Sequence, residues 1–404
     1  MKVKLGEVAD VHISGVDKKT IPGEKPVRLC NYTDVYYNWT IRKGLYQSFM
    51  TASARDSEIA KFRLRAGQVA LTKDSETRDD IGHPAYIADD FEDVILGYHC
   101  ALISPHAGML DGRYLNGLLR TRHISDYLSR NAGGSGQRYY LSDSTIKAMP
   151  ISLPPIAAQL RIAGVLGSLD EKITLNRKKI AELEALAKTI YDYWFVQFDF
   201  PDKNGKPYKS SGGKMVWSDQ LKREVPDGWE VITLGALLAK IPSTKRLATD
   251  EFRKDGNFPI IDQSDVFIAG YTSESSAVLS LPRCIVFGDH SCTVKMVNFP
   301  FCRGADGTQI IVSNCETIIS TYQLYFYVKH LSFDGQYKRH FSFLKQHLLP
   351  INRTITLGDE FRCRIEPLFN AIRNCRNAIT LLVMVRDNLL PLLMNGQVTV
   401  GDLK

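Results

Sequence analysis

The sequence predicts an α+β protein built twice over: two tandem globular halves of mixed α/β content, each followed by a long helix, the two helices forming an antiparallel coiled coil about a pseudo-twofold internal repeat. Three observations carry this. Apolar residues recur at alternating steps of four and three in two separate runs, one starting at Ile162 and one at Phe361. The runs share a register at an offset of 199 residues, the offset that also carries Gly136-Gln137 onto Gly335-Gln336. Short β-rich runs at residues 69–72, 94–97, 284–287 and 309–312 occupy the segments between.

Taken in order, residues 1–151 form the first globular half, with an amphipathic stretch from Tyr114 to Leu128. Leu153-Pro154-Pro155 then sets the start of a helix over residues 152–198, because proline suits an extended lead-in or a first turn but not a helix interior. Its seam reads Ile162, Leu166, Leu169, Ile173, Asn176, Ile180, Leu183, Ala187, Ile190 and Trp194. Asn176 is the polar member, and a buried amide in a seam fixes register at some cost in stability. Residues 199–225, rich in Lys, Gly, Ser and Asp, read as a linker. A second globular half follows over residues 226–352, and its Ile232-Thr233-Leu234-Gly235 echoes Val3-Lys4-Leu5-Gly6. Another echo pairs Ala70-Leu71-Thr72-Lys73-Asp74 with Val286-Phe287-Gly288-Asp289. The second helix spans residues 353–396, with Phe361, Ile365, Leu368, Ile372, Cys375, Ile379, Leu382, Leu389 and Leu393 in its seam and Arg386 at the one polar step. Residues 397–404 are a tail.

Composition narrows the function classes. At 404 residues with 44% hydrophobic content the chain can bury more than one core. Its eight cysteines contain no C-x-x-C pair, so buried reduced thiols are the expectation. No uninterrupted apolar stretch approaches the roughly 20 residues of a membrane span, and the first ten residues lack a signal-peptide core, which points to the cytoplasm and no membrane. A net charge of +7 permits a polyanionic partner without demanding one.

The usual catalytic parts are missing. There is no G-x-x-x-x-G-K-[ST] phosphate loop, since Gly212-Gly213-Lys214 lacks the first glycine and a preceding strand. No Asn-Pro-Pro-aromatic segment for amino-methyl transfer is found, and Pro201-Asp202 and Pro226-Asp227 lead into linker and tryptophan rather than a nuclease strand. Asp289-His290-Ser291-Cys292 gathers reactive groups, but neighbours along a strand face opposite ways. Cys302, Cys315 and His290 fit no zinc spacing. The expectation is no catalytic residue, no metal site and no cofactor bound by this chain.

The repeat and its markers resemble the specificity (S) subunit of type I restriction-modification systems. The residues concerned are Leu153-Pro154-Pro155-Ile156-Ala157-Ala158-Gln159-Leu160-Arg161-Ile162, Leu169-Asp170-Glu171-Lys172-Ile173, Asn176-Arg177, Trp194-Phe195-Val196 and Phe198-Asp199. Val225-Pro226-Asp227-Gly228-Trp229 looks like the opening of the family's second target-recognition domain, and Leu389-Leu390-Pro391-Leu392-Leu393-Met394-Asn395-Gly396 like its closing helix. The second helix departs from the pattern, because Ile355-Thr356-Leu357-Gly358-Asp359-Glu360 has neither the double proline nor the Gln. The resemblance implies a non-catalytic subunit that reads a split double-stranded DNA target through two target-recognition domains. It implies two methyltransferase (M) subunits carrying S-adenosylmethionine, and restriction (R) subunits that use ATP and Mg. A coiled-coil adaptor without sequence-selective DNA binding, or the recognition part of another restriction-modification class, are the competing readings. Repeated halves related by a twofold axis require antiparallel helices with one globular domain at each end.

Base reading calls for Arg or Lys toward guanine, Asn or Gln toward adenine, and Ser or Thr toward either. The duplicated positions supply the candidates: Thr72, Lys73, Ser75, Gln137, Arg138 and Tyr139 in the first half, and His290, Ser291, Lys295, Gln336, Lys338 and Arg339 in the second, with Arg303 outlying. Each basic residue is more readily a phosphate contact than a base contact, and a solvated surface charge is the plain alternative. Of Tyr139 and Tyr140, alternation turns only one outward. Arg177, Lys178, Lys179 and Glu182 are candidate partner contacts on the outer helix face.

Overall fold

A computed structural model describes residues 2–134, 136–304, 306–333, 340–353 and 356–402. The chain forms two compact units, Met1–Leu175 with Ala378–Lys404, and Asn176–Asn377. Each unit therefore takes one globular half and part of each long helix, a division that crosses the linear segments expected from sequence.

In the first unit a five-stranded sheet runs in the order Ala9–Ile13, Cys100–Pro105, Val69–Thr72, Pro84–Ile87, Thr40–Ile41. Its inner strands are apolar at nearly every position because both faces are covered. Val69, Leu71, Ala101 and Ile103 enter one core, whereas Ala70, Cys100 and Leu102 enter another, the period-two alternation of a strand read against two partners. A second sheet of Met50–Ala54, Lys25–Cys30 and Val94–Leu96 closes the latter core. The amphipathic stretch is two helices, Gly112–Leu119 and Arg122–Asn131, the first capped by Asp111, whose carboxylate accepts the Arg113 and Tyr114 amides at 2.9 and 3.0 Å.

The second unit repeats the logic in small sheets. Cys284–Gly288 lies between Val294–Val297 and Thr308–Ile311. Its Ile285 and Phe287 face the main core while Cys284 and Val286 face a smaller one. The echo at the start of each half is structural: Lys2–Lys4 pairs with Pro150–Ser152, and Glu230–Thr233 pairs with Leu348–Ile351. Leu5 and Leu234, both fully buried, then donate to the carbonyls of Met149 and His347 at 2.9 and 2.8 Å.

The long helices span Ile156–Tyr191 and Leu357–Met394. In the first unit Ala163 and Leu166 pack with Leu390, Leu393 and Met394. In the second, Ala187, Tyr191 and Trp194 pack with Phe361, Ile365 and Ile372. Start meets end in one unit and end meets start in the other, so the pairing is antiparallel. No seam residue of either helix is exposed, Asn176 included. Gly117 lets the closing helix approach in the first unit, since a Cβ there would lie 2.5 Å from Met394 Cε and 3.3 Å from Leu390 Cδ1. Arg386, the polar step, lies with its guanidinium 4.0 Å from the centre of the Trp39 ring, which also receives Arg120 at 4.3 Å. The second helix is the one helix among the described residues long and apolar enough to cross a membrane, at a mean hydropathy of 1.3 over its best window. Its apolar seam is nevertheless packed against protein in both units.

One expectation is revised. Residues 199–225 are folded into the second unit: Phe200 is buried and stacks on Tyr208 at 4.8 Å, Asp199 accepts the Ser210 amide at 2.7 Å, and Met215–Ser218 pairs with Arg223–Pro226. A polar, glycine-rich composition concealed aromatic anchors spaced far apart. The missing Pro-Pro and Gln of the second helix also have an explanation. Gln159 is fully buried and fastens the first helix, donating to the Met109 and Pro154 carbonyls at 3.0 and 2.9 Å and accepting the Asp111 amide at 2.9 Å. At the same offset stands Gly358, where a Cβ would come within 2.6 Å of the Ile318 carbonyl carbon. One helix start is fastened by a side chain, the other by direct approach of backbone.

Candidate nucleic-acid interface

The candidate residues gather where strands end. In the first unit Val69–Thr72 runs into Lys73 and the short strand Asp74–Ser75, which pairs with Tyr139–Tyr140, itself paired with Gly133–Gly134. Leu141 N–H donates to the Lys73 carbonyl at 2.7 Å. In the second unit the His340 N–H donates to the Asp289 carbonyl at 3.2 Å and the Phe341 N–H to Asp289 Oδ1 at 2.8 Å. Leu141 and His340 are related by the repeat offset, so corresponding positions of the repeat meet the same strand end in both halves.

Five candidates turn inward, Tyr139 among them, which corrects their assignment to the surface. Thr72 is fully buried and its hydroxyl accepts the His83 amide at 2.8 Å. Lys73 is buried, its ammonium 2.9 Å from Asp74 Oδ2 and 5.1 Å from the Tyr98 ring centre. Lys295 is buried and donates to the Asp262 and Val266 carbonyls at 2.9 and 2.5 Å; burial lowers its pKa, against the pull of Asp262 and Asp265. Arg303 is buried beside Thr244 O at 3.5 Å, and burial, then Arg246, lower its pKa. For the three basic residues the long side chain runs into the unit, where backbone carbonyls or a carboxylate meet it. Tyr139 is the inward member of its pair, packed on the core with Arg78 4.9 Å from its ring, and Tyr140 is exposed.

The other candidates among the described residues remain accessible. Ser75 is half-buried, and Gln137, Arg138, His290 and Ser291 are exposed. Gln336, Lys338 and Arg339 lie outside the described residues. The loop carrying His290 and Ser291 is braced by Gln263, whose Oε1 accepts the His290 amide at 3.3 Å and whose carbonyl accepts the Ser291 and Thr293 hydroxyls at 2.6 and 2.8 Å.

Beside Gln137 and Arg138 opens a hollow of about 700 Å³, with Tyr32, Tyr36, Tyr37, Asp74, Asp80 and His99 among its walls. One carboxylate–imidazole pair faces it, His99 Nδ1 lying 2.5 Å from Asp74 Oδ2; the wall residue Asp80 is met by His83 Nε2 at 2.7 Å and by the Tyr36 hydroxyl at 3.0 Å. Burial alone raises the Asp74 carboxyl, but its hydrogen bonds to Lys73 and His99 outweigh this and hold it below its ordinary value. These residues escaped the sequence reading. The signal available was the tyrosine-rich run from Asn31 to Asn38 directly after a buried strand.

Residues 1–185 match the family described as the type I restriction modification DNA specificity domain. The chain is similar to the type I restriction enzyme MjaIX specificity subunit of Methanocaldococcus jannaschii, with 25% identity over 95% of this chain and 88% of that one. It is also similar to the putative MjaX specificity subunit of the same organism, 28% identical over 45% of this chain and 40% of that one. Its fold resembles the crystal structure of the S subunit of a type I restriction-modification system from M. genitalium, at a TM-score of 0.56 and 16% identity over 97% of this chain and 95% of the other. Residues 1–185 thus carry the type I restriction modification DNA specificity domain, and the chain as a whole is similar in sequence to specificity subunits of type I restriction enzymes and in fold to one S subunit.

Proposed function

We propose that this chain reads a two-part DNA sequence, one part with each unit, and presents it to methyltransferase and restriction subunits that hold the chemistry. On this reading the chain is a specificity subunit and not itself an enzyme. The observation that carries the division of reading is the repeated junction at which Leu141 or its counterpart His340 meets the strand end at Lys73 or Asp289. Exposed polar and basic side chains stand beside it: Gln137 and Arg138 in one unit, His290 and Ser291 in the other. Such groups suit hydrogen bonding to base edges and phosphates. Two equivalent units favour two methyltransferase subunits, with S-adenosylmethionine on those, and ATP and Mg on the restriction subunits. A complex acting on host DNA works in the cytoplasm.

The test is reconstitution. The purified chain with labelled S-adenosylmethionine and mixed-sequence DNA is expected to transfer no methyl group, and addition of its methyltransferase subunit to start sequence-selective transfer. Transfer by the chain alone, or transfer without sequence preference in the mixture, overturns the reading.

A further inference from the structure

Arg138 is an exposed residue on a loop, and a free guanidinium has about 2 kcal/mol of rotamer entropy to lose when it is fixed against a base. The structure contains a device that fixes it beforehand. The Arg138 Nη2 lies 3.2 and 3.3 Å from the two ring nitrogens of His99. His99 Nδ1 faces the Asp74 carboxylate at 2.5 Å, and a carboxylate only accepts, so the Nδ1 proton is directed there. Nearly equidistant from both ring nitrogens, Nη2 lies over the face of the imidazole, where a planar guanidinium packs on the ring.

His99 is held for this placement. Its backbone has φ of +74°, in the left-handed region that residues other than glycine seldom occupy. Its carbonyl accepts the Lys73 amide at 2.8 Å while its ring faces Asp74, so two consecutive residues grip it by backbone and by side chain. Asp74 is buried and pinned by the Lys73 ammonium. The strand Tyr139–Tyr140 pairs with Asp74–Ser75 and delivers Arg138 to the same edge. Gly134, with φ of +148° and a Cβ position 2.3 Å from the Arg138 carbonyl oxygen, allows the loop to close that tightly.

We propose that His99 is a positioning residue for Arg138, holding its guanidinium at the mouth of the tyrosine-walled hollow in the orientation that discriminates a base in the half-site read by the first unit. This rests on the reading of Arg138 as a base contact in the proposed function. His99 acts through Arg138 and touches no base.

The experiment uses the full chain assembled with its methyltransferase subunit. Competition binding is measured against DNA carrying the methylated sequence and every single-base change in it. The variants are R138A, H99N and the double variant; asparagine tolerates a left-handed backbone but lacks the ring. R138A and H99N are each expected to relax discrimination about tenfold at the same position of one half-site. The double variant should relax it no further than R138A, and the other half-site should stay unchanged; R138A should leave the thermal midpoint in place, while H99N, which takes one partner from the buried Asp74, should lower it. The inference on His99 is overturned if H99N is silent while R138A relaxes the site, if the two effects add in full, or if H99N weakens all sequences alike. R138A leaving discrimination intact overturns the base-contact reading of Arg138 and the inference with it.

Discussion

Lys73 and Arg138 are alike to a reading of residue types, yet one ends inside the first unit against Asp74 and the other ends exposed beside His99. The difference sets opposite expectations. Lys73→Ala leaves a buried carboxylate with one partner fewer and is expected to lower unfolding free energy by about 2 kcal/mol in chemical denaturation. The salt dependence of DNA binding by the assembled complex should not change, because Lys73 neutralises no phosphate. A shallower salt slope in that variant refutes the inward assignment. Asp74 adds a pH signature. Its folded pKa lies below the ordinary 3.8, so its contribution is fully present above that value and is lost as pH falls through the lower folded one. Local sequence located the strand end at Asp74. It could not reveal His99, 25 residues on, because that meeting depends on the registry Cys100 to Thr72 between strands.

Among the elements, the two long helices were legible from periodicity, since every seam position is at least partly buried. Their fastenings were not, because these reach residues distant in sequence. Asp170 accepts the Thr40 hydroxyl at 2.8 Å and lies 3.4 Å from Arg42 in the first unit, while Arg376 meets Glu184 at 3.0 Å and lies 3.8 Å from the Phe267 ring centre in the second. The two helix starts offer a paired test. Gln159→Leu removes three buried hydrogen bonds and strands their backbone partners, with an expected loss of about 3 kcal/mol. Gly358→Ala places a methyl group against backbone that has no slack, with an expected loss of about 2 kcal/mol or more. Denaturation monitored by hydrogen exchange should localise each loss to the unit holding that helix start. A neutral Gly358→Ala shows that the segment around Ile318 can give way, and the account of that start then fails.

For the molecule as a whole, tandem duplication implies a separable reading of DNA. Replacing Gln137 and Arg138 with Ala is expected to relax one half of the methylated sequence, and replacing His290 and Ser291 the other, by about 1 to 3 kcal/mol for each true base contact. Methylome sequencing of cells carrying each variant reads the result. Equal weakening of both halves marks these residues as phosphate contacts or supports of the fold. The repeat was visible in sequence because its echoes fall on strand starts, strand ends and helix seams, where geometry permits few residue types; the intervening loops differ and gave no such trace. The packing of Leu166 and Leu118 with Leu390, Leu393 and Met394 has a consequence for synthesis on the ribosome. The second unit is one continuous stretch and is complete once Asn377 has emerged, whereas the first awaits residues from Ala378 onward. The half made first is thus the half finished last, and until the final helix is released it displays an apolar groove that nascent-chain chaperones are suited to cover.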